Sequence, residues 1–153
     1  MISTELARAL RDSGLVWTPQ AGDAFRIDRV EADEEVYVLS DMTVEAHDFS
    51  TGTVIGFNGT TEWALDSVEL GDTLWLPHEH QLRDALGARF RRLSHEDADY
   101  AVEAFVDGAL RTFDADDAAN AYARALLMTL DESAPPPPAA VEDLGGLPPL
   151  NED

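Results

Sequence analysis

The sequence predicts an α+β domain: an antiparallel β-sheet, a meander plus a hairpin, packed with three α-helices and followed by a disordered tail. Three observations predict it. From Asp23 onward apolar residues recur at every second position, the period of a strand with one buried face. Asn58–Gly59 and Asp107–Gly108 lie between such runs, and both dipeptides suit two-residue hairpin loops. Elsewhere the spacing is helical, near the first residues, after Pro77 and after Asp114.

In chain order, Ser3 can cap a helix over about 4–13, with Glu5 favourable in its first turn. Ile2, Leu6 and Leu10 form its apolar stripe, and Gly14 ends it. Trp17 precedes a loop at Pro19–Gly22 and is read as a core-covering aromatic. Phe25 and Ile27 alternate with Arg26 and Asp28, Glu31–Glu35 turns the chain, and Val36–Ser40 is a compact apolar strand. Val44 and Ala46 alternate with Glu45 and His47, Thr51–Gly52 turns into a strand over Thr53–Phe57, and Thr60–Val68 returns from Asn58–Gly59. Residues 23–68 together read as one meander.

Trp75–Gly87 links the two halves: an extended segment runs into a short helix, with Pro77 suited to its first turn and Leu82 and Leu86 on one face. Phe90–Ser94 and Tyr100–Val106 follow as strands around the acidic turn Glu96–Asp99, and Ala109–Phe113 returns from Asp107–Gly108. Asp114 then caps the last helix, with Asp116 and Asp117 against its N-terminal dipole. Its buried face is Ala118, Tyr122, Ala125, Leu126, Thr129 and Leu130. Residues 1–130 thus form a single domain. Composition changes at Asp131: the segment 131–153 holds six of the eight prolines and six acidic residues, so it buries too little apolar surface to order itself. Leu144, Leu147 and Leu150 are the residues to suspect if it docks.

Composition narrows the functions. The chain has no cysteine, which removes disulfides, thiolate nucleophiles and Cys-based zinc sites. All ten basic residues are arginine, which removes a P-loop lysine, a Schiff-base lysine and a Ser–Lys dyad. A net charge of −21 repels phosphates and anionic lipid, arguing against direct nucleic-acid or membrane binding. No apolar run reaches membrane-spanning length and no secretory leader pattern is present, so a cytoplasmic location is expected.

His78-Glu79-His80 resembles a metal-binding fragment, but at a helix start residues two apart do not share a face, and a zincin helix needs histidines at i and i+4. His47 and His95 could join only if folding brought them close. No nucleophile elbow or dinucleotide-binding glycine pattern occurs. No catalytic, cofactor-binding or metal-ligating set is assigned, and no cofactor is expected.

Three stretches carry a family resemblance: Met1–Trp17; Ser40–Glu45 with Gly56–Val68; and Leu74–Gly87. Together they resemble short actinomycete proteins that carry the label of tight-adherence (Flp) pilus assembly proteins, CpaE-like. The resemblance spans about residues 1–130 and implies an accessory part in such an assembly; without lysine the chain lacks the P-loop of that system's ATPase, and no catalytic residue carries over. Trp75–Gly87 followed by Phe113–Leu130 is also similar to small bacterial and phage proteins of strand–helix–hairpin–helix type.

The expected function is a non-enzymatic cytoplasmic adaptor that binds a protein partner, which the acidity would favour as basic. The alternatives are a small enzyme or ligand-binding domain built from scattered histidines and acids, His78 and His80 among them, and an acidic nucleic-acid mimic that inhibits a basic partner. Oligomeric state is left open.

Overall fold

A computed structural model describes residues 1–28, 35–40, 45–49, 52–56 and 67–133. The Asn58–Gly59 turn, most of the Glu31–Glu35 turn and of the Thr60–Val68 strand, and the tail beyond Ser133 lie outside the described residues.

Helix α1, Thr4–Asp12, starts where Ser3 leaves extended backbone and its Oγ accepts from the Leu6 N–H at 3.3 Å. It buries Ala7 and Leu10 and ends at Gly14, whose φ of +96° is a conformation that favours glycine. Strands β1 (Ala24–Ile27), β2 (Tyr37–Val38), β3 (Glu45–Phe49), β4 (Gly52–Gly56) and β5 (Ser67–Glu69) follow, and a 3-10 turn at Leu70–Asp72 leads into β6 (Thr73–Leu76). Helix α2 is Glu79–Leu86; then come β7 (Phe90–Glu96), β8 (Asp99–Val106), β9 (Ala109–Ala115) and helix α3 (Ala118–Ser133). All strand pairings are antiparallel, so the α+β class holds.

The strands form three sheets, β2-β1-β6, β3-β4-β5 and β7-β8-β9, where one meander over 23–68 was expected. β3, β4 and β5 do form a meander. β1 instead takes β6 as its second neighbour, with Ala24 opposite Leu76 and Arg26 opposite Leu74. Alternation identifies a strand's buried face but not its neighbour. Here Ala24, Leu74 and Leu76 join one core with Ala7 and Leu10 of α1, and that shared burial selects the long-range pair.

The last sheet follows its turn chemistry. Asp107 and Gly108 have φ of 52° and 71°, the two positive values of a type I′ loop, and they set Val106 opposite Ala109 and Phe105 opposite Leu110. Val102, Ala104 and Val106 of β8 are buried, and α3 lies against β8 and β9.

Helix α3 is the centre of the packing, with α1 and α2 also against it. Its cap is Asp117 rather than Asp114: Asp117 Oδ1 accepts from the Ala119 N–H at 2.9 Å, and its carbonyl accepts from Ala121. Asp114 is still in β9, opposite Ala101, because the strand runs two residues longer than its apolar alternation suggested. The expected face of α3 is buried or nearly so, but Ala119, Ala121 and Ala123 are buried too, since elements pack on more than one side. The helix continues through Ser133, past the composition change at Asp131. No described helix is long and apolar enough to cross a membrane.

Candidate functional site

The N-terminus of α2 carries the sequence's metal-like fragment. The helix begins at Glu79 with His78 as N-cap in extended backbone, so Pro77 precedes the cap instead of occupying the first turn. The reason is local. Gln81 Oε1 accepts from the His78 N–H at 2.8 Å, and that reach-back places the cap one residue after the proline.

Gln81 also joins the helix to the loop before β1. Its Nε2 donates to Asp23 Oδ1 at 2.6 Å, while Asp23 Oδ2 accepts from Trp17 Nε1 at 2.8 Å and from the Gln20 N–H at 2.9 Å. Asp23 is only 2% exposed. A buried carboxylate needs donors on its lone pairs, and these three neutral donors supply them. His78 Nε2 lies 3.1 Å from the Gly22 carbonyl, which can only accept, so this nitrogen carries a proton.

The rings of His78 and His80 lie nearly parallel with centroids 5.8 Å apart. They are closer than the helix-face argument allowed, because the cap residue is not helical. Even so, among the described residues no three His, Asp or Glu side chains gather as a metal cage. His95 lies apart on β7, its ring 4.3 Å from that of Tyr100, and the backbone of His47 pairs with Val54 in the β3–β4 hairpin.

Two open depressions flank His78 and Glu79. One, of about 490 Å³, is bordered by Gln20–Asp23 and His80–Gln81; the other, of about 410 Å³, is bordered by Met1, Leu93, Tyr100 and Asp117. Several groups on their walls are engaged with one another, while Glu79, which borders both, has no hydrogen-bond or ion-pair partner among the described residues. Asp117 caps α3 and takes the Met1 ammonium at 2.6 Å, while Asp23 and Gln81 hold each other. Burial pushes the Asp117 carboxyl up, but hydrogen bonds from the Met1 ammonium and the Ala119 N–H outweigh it and leave it below its ordinary value. This region is a polar clamp joining α2 to the β1 loop. Among the described residues it presents no nucleophile beside a base.

A third notch, about 160 Å³, lies between Trp17 and Trp75, whose rings are nearly parallel with centroids 6.2 Å apart. The buried Trp75 Nε1 has no hydrogen-bond partner among the described residues. The guanidinium lining the notch, Arg11, is committed to Asp28 at 2.7 Å.

The other distinctive surface is the face of the β7-β8-β9 sheet away from α3. Along β8, Ala101, Glu103 and Phe105 alternate with the buried Val102, Ala104 and Val106. Opposite them on β9 are Asp114, Thr112 and Leu110, all exposed. Phe105 is 44% exposed and Leu110 50%, a cross-strand apolar pair open to solvent. The β7 edge is basic: Arg92 reaches across to Glu103 at 2.7 Å, and the register shifts between Phe90 and Arg92, leaving Arg91 in a bulge. Among the described residues Arg89 and Arg91 have no ion-pair partner, although the chain holds 31 acids.

The β8 alternation already puts Phe105 on the face opposite Val102, Ala104 and Val106, and the type I′ loop puts Leu110 opposite it. This pair was therefore legible in the sequence. The Asp23–Gln81 contact was not, because the two residues meet only through folding. Comparison with protein-family models, with curated proteins and with solved structures finds no match.

Proposed function

We propose that this protein is a non-enzymatic, cytoplasmic accessory module that binds another protein through the open face of the β7-β8-β9 sheet. The observation that carries the reading is the Phe105–Leu110 pair. Two large apolar side chains about half exposed and side by side on an uncovered sheet face are the central feature of a protein contact. The engagement of Asp23, Gln81 and Asp117 beside His78 favours this reading over a catalytic or ligand-binding one. The charge of −21 favours a basic partner, with acidic residues speeding its approach and apolar contacts holding it. The resemblance to tight-adherence pilus assembly proteins supports a place in such an assembly.

The test is affinity capture from the source organism with the full chain and with a Phe105→Ser, Leu110→Ser variant whose fold is checked by circular dichroism. A protein retained by the parent and lost by the variant supports the reading. Equal retention by both removes the sheet face as the contact.

A further inference from the structure

The same face carries a second feature that its apolar pair does not explain. In a chain of net charge −21, residues 83–92 hold four of the ten arginines and a single acid, Asp84. Two of these, Arg89 and Arg91, have no ion-pair partner among the described residues, and Arg92 is engaged by Glu103 on the outer face. In register their backbones border the apolar pair at the β7 edge, because they flank Phe90, which is opposite Ala104, and Phe105 is the next residue of β8. The patch therefore wants a ligand that is apolar at its centre and anionic around it.

The chain contains such a segment beyond α3. Val141-Glu142-Asp143-Leu144-Gly145-Gly146-Leu147-Pro148-Pro149-Leu150 carries three leucines behind two adjacent carboxylates, and no basic residue occurs after Arg124. We propose that this segment docks in cis on the open sheet face, its leucines against Phe105 and Leu110 and its carboxylates toward Arg89 and Arg91. A partner that takes the Phe105–Leu110 pair would then have to displace this segment. The inference rests on the proposed function only in its choice of face.

Reach permits it. Tyr122 of α3 packs its ring 5.4 Å from that of Phe90 at the start of β7. The helix continues to Ser133, about 16 Å further at the helical rise. From Ser133 to Leu144 an extended chain spans up to about 36 Å, against about 16 Å back along the helix and about 10 Å of packing distance to the sheet. A segment too polar to fold alone can still order on a preformed surface, since the surface supplies the apolar area it lacks.

The chain has no cysteine, so Ala140→Cys in the full-length protein gives one site for a nitroxide label. With the label on the ¹⁵N-labelled chain, the amide signals of Arg92, Phe105 and Leu110 should lose most of their intensity. Those of Ala9 and Leu10 in α1 should keep theirs. Adding Leu144→Ser, Leu147→Ser and Leu150→Ser should restore the lost signals, and so should Arg89→Gln with Arg91→Gln. Weak loss spread over the whole surface, loss centred elsewhere, or persistence in either variant would overturn the contact. Loss that arises only between labelled and unlabelled molecules in a mixture would overturn docking in cis. If the broadening is absent while the Phe105→Ser, Leu110→Ser variant still loses its captured protein, the cis contact alone fails. Broadening present with capture unaffected sinks only the partner reading.

Discussion

Asp23 shows how one side chain can set where two elements meet. Its carboxylate accepts from Trp17, Gln20 and Gln81, so truncation leaves three donors unpaired in a buried site. Stranding buried donors costs more than a hydrogen bond contributes, and Asp23→Ala should lower stability by about 3 kcal/mol. Urea unfolding followed by tryptophan fluorescence reads it directly, since Trp17 is one of the donors. A loss under about 1 kcal/mol would show that the loop and α2 are held by other contacts.

Asp28 makes a separate prediction because it is charged in a different way. It takes Arg8 on Oδ1 and Arg11 on Oδ2, both at 2.7 Å. The Arg8 hydrogen bond, followed by burial acting the other way and then the Arg11 hydrogen bond, leaves the Asp28 carboxyl below its ordinary value. A carboxyl depressed in the folded state contributes stability that is complete above its unfolded value, about 3.9, and lost as pH falls through the folded one. The stability difference between the parent and Asp28→Asn should therefore be largest near neutral pH and shrink below about pH 4. Comparing the two chains at each pH cancels the acid titration that they share. A difference that stays constant down to the acid limit would remove Asp28 as the titrating group.

At the scale of elements, sequence legibility follows the range of the interactions that decide each one. The caps of α1, the hairpin at Asp107–Gly108 and the strands beside it are decided within a few residues, and the structure places them close to where composition does. The cap of α3 was misplaced by three residues because three aspartates compete for the role between 114 and 117; only the end of β9 distinguishes them. The β1–β6 pairing and the Asp23 clamp link residues some fifty apart, and no local pattern contains that information. Alanine hid the rest. Ala119, Ala121 and Ala123 are buried, yet alanine is also the commonest neutral filler of an exposed helix face, so the breadth of α3's buried surface did not register. That breadth can be tested. Leucine matches alanine closely in helix propensity, but Ala121 is 0% exposed, so Ala121→Leu should destabilise the protein by about 1–3 kcal/mol through overpacking. Ala85→Leu, at an exposed position of α2, is the control and should be nearly neutral. A neutral Ala121→Leu would mean that the space around α3 is looser than its burial indicates.

For the whole molecule, 31 acids against ten arginines set two salt effects in opposition. Salt weakens attractive pairs such as Arg8–Asp28 and Arg92–Glu103, which lowers stability. It also screens the mutual repulsion of a chain at −21, which raises it. The second effect should win. Among the described residues attractive pairs are few and mostly half exposed, so each contributes little, whereas repulsion sums over every excess carboxylate within a screening length. At about 0.01 M ionic strength that length is about 30 Å, comparable to the domain itself; at about 0.15 M it falls to about 8 Å, and most of the repulsion is gone. The thermal midpoint should therefore rise steeply over this interval and flatten above it. Sodium chloride is the salt to use, with guanidinium and sulfate avoided because they act on apolar and peptide groups as well. A midpoint that falls with added salt would show that attractive pairs, not the excess of acid, dominate the electrostatics of the folded chain.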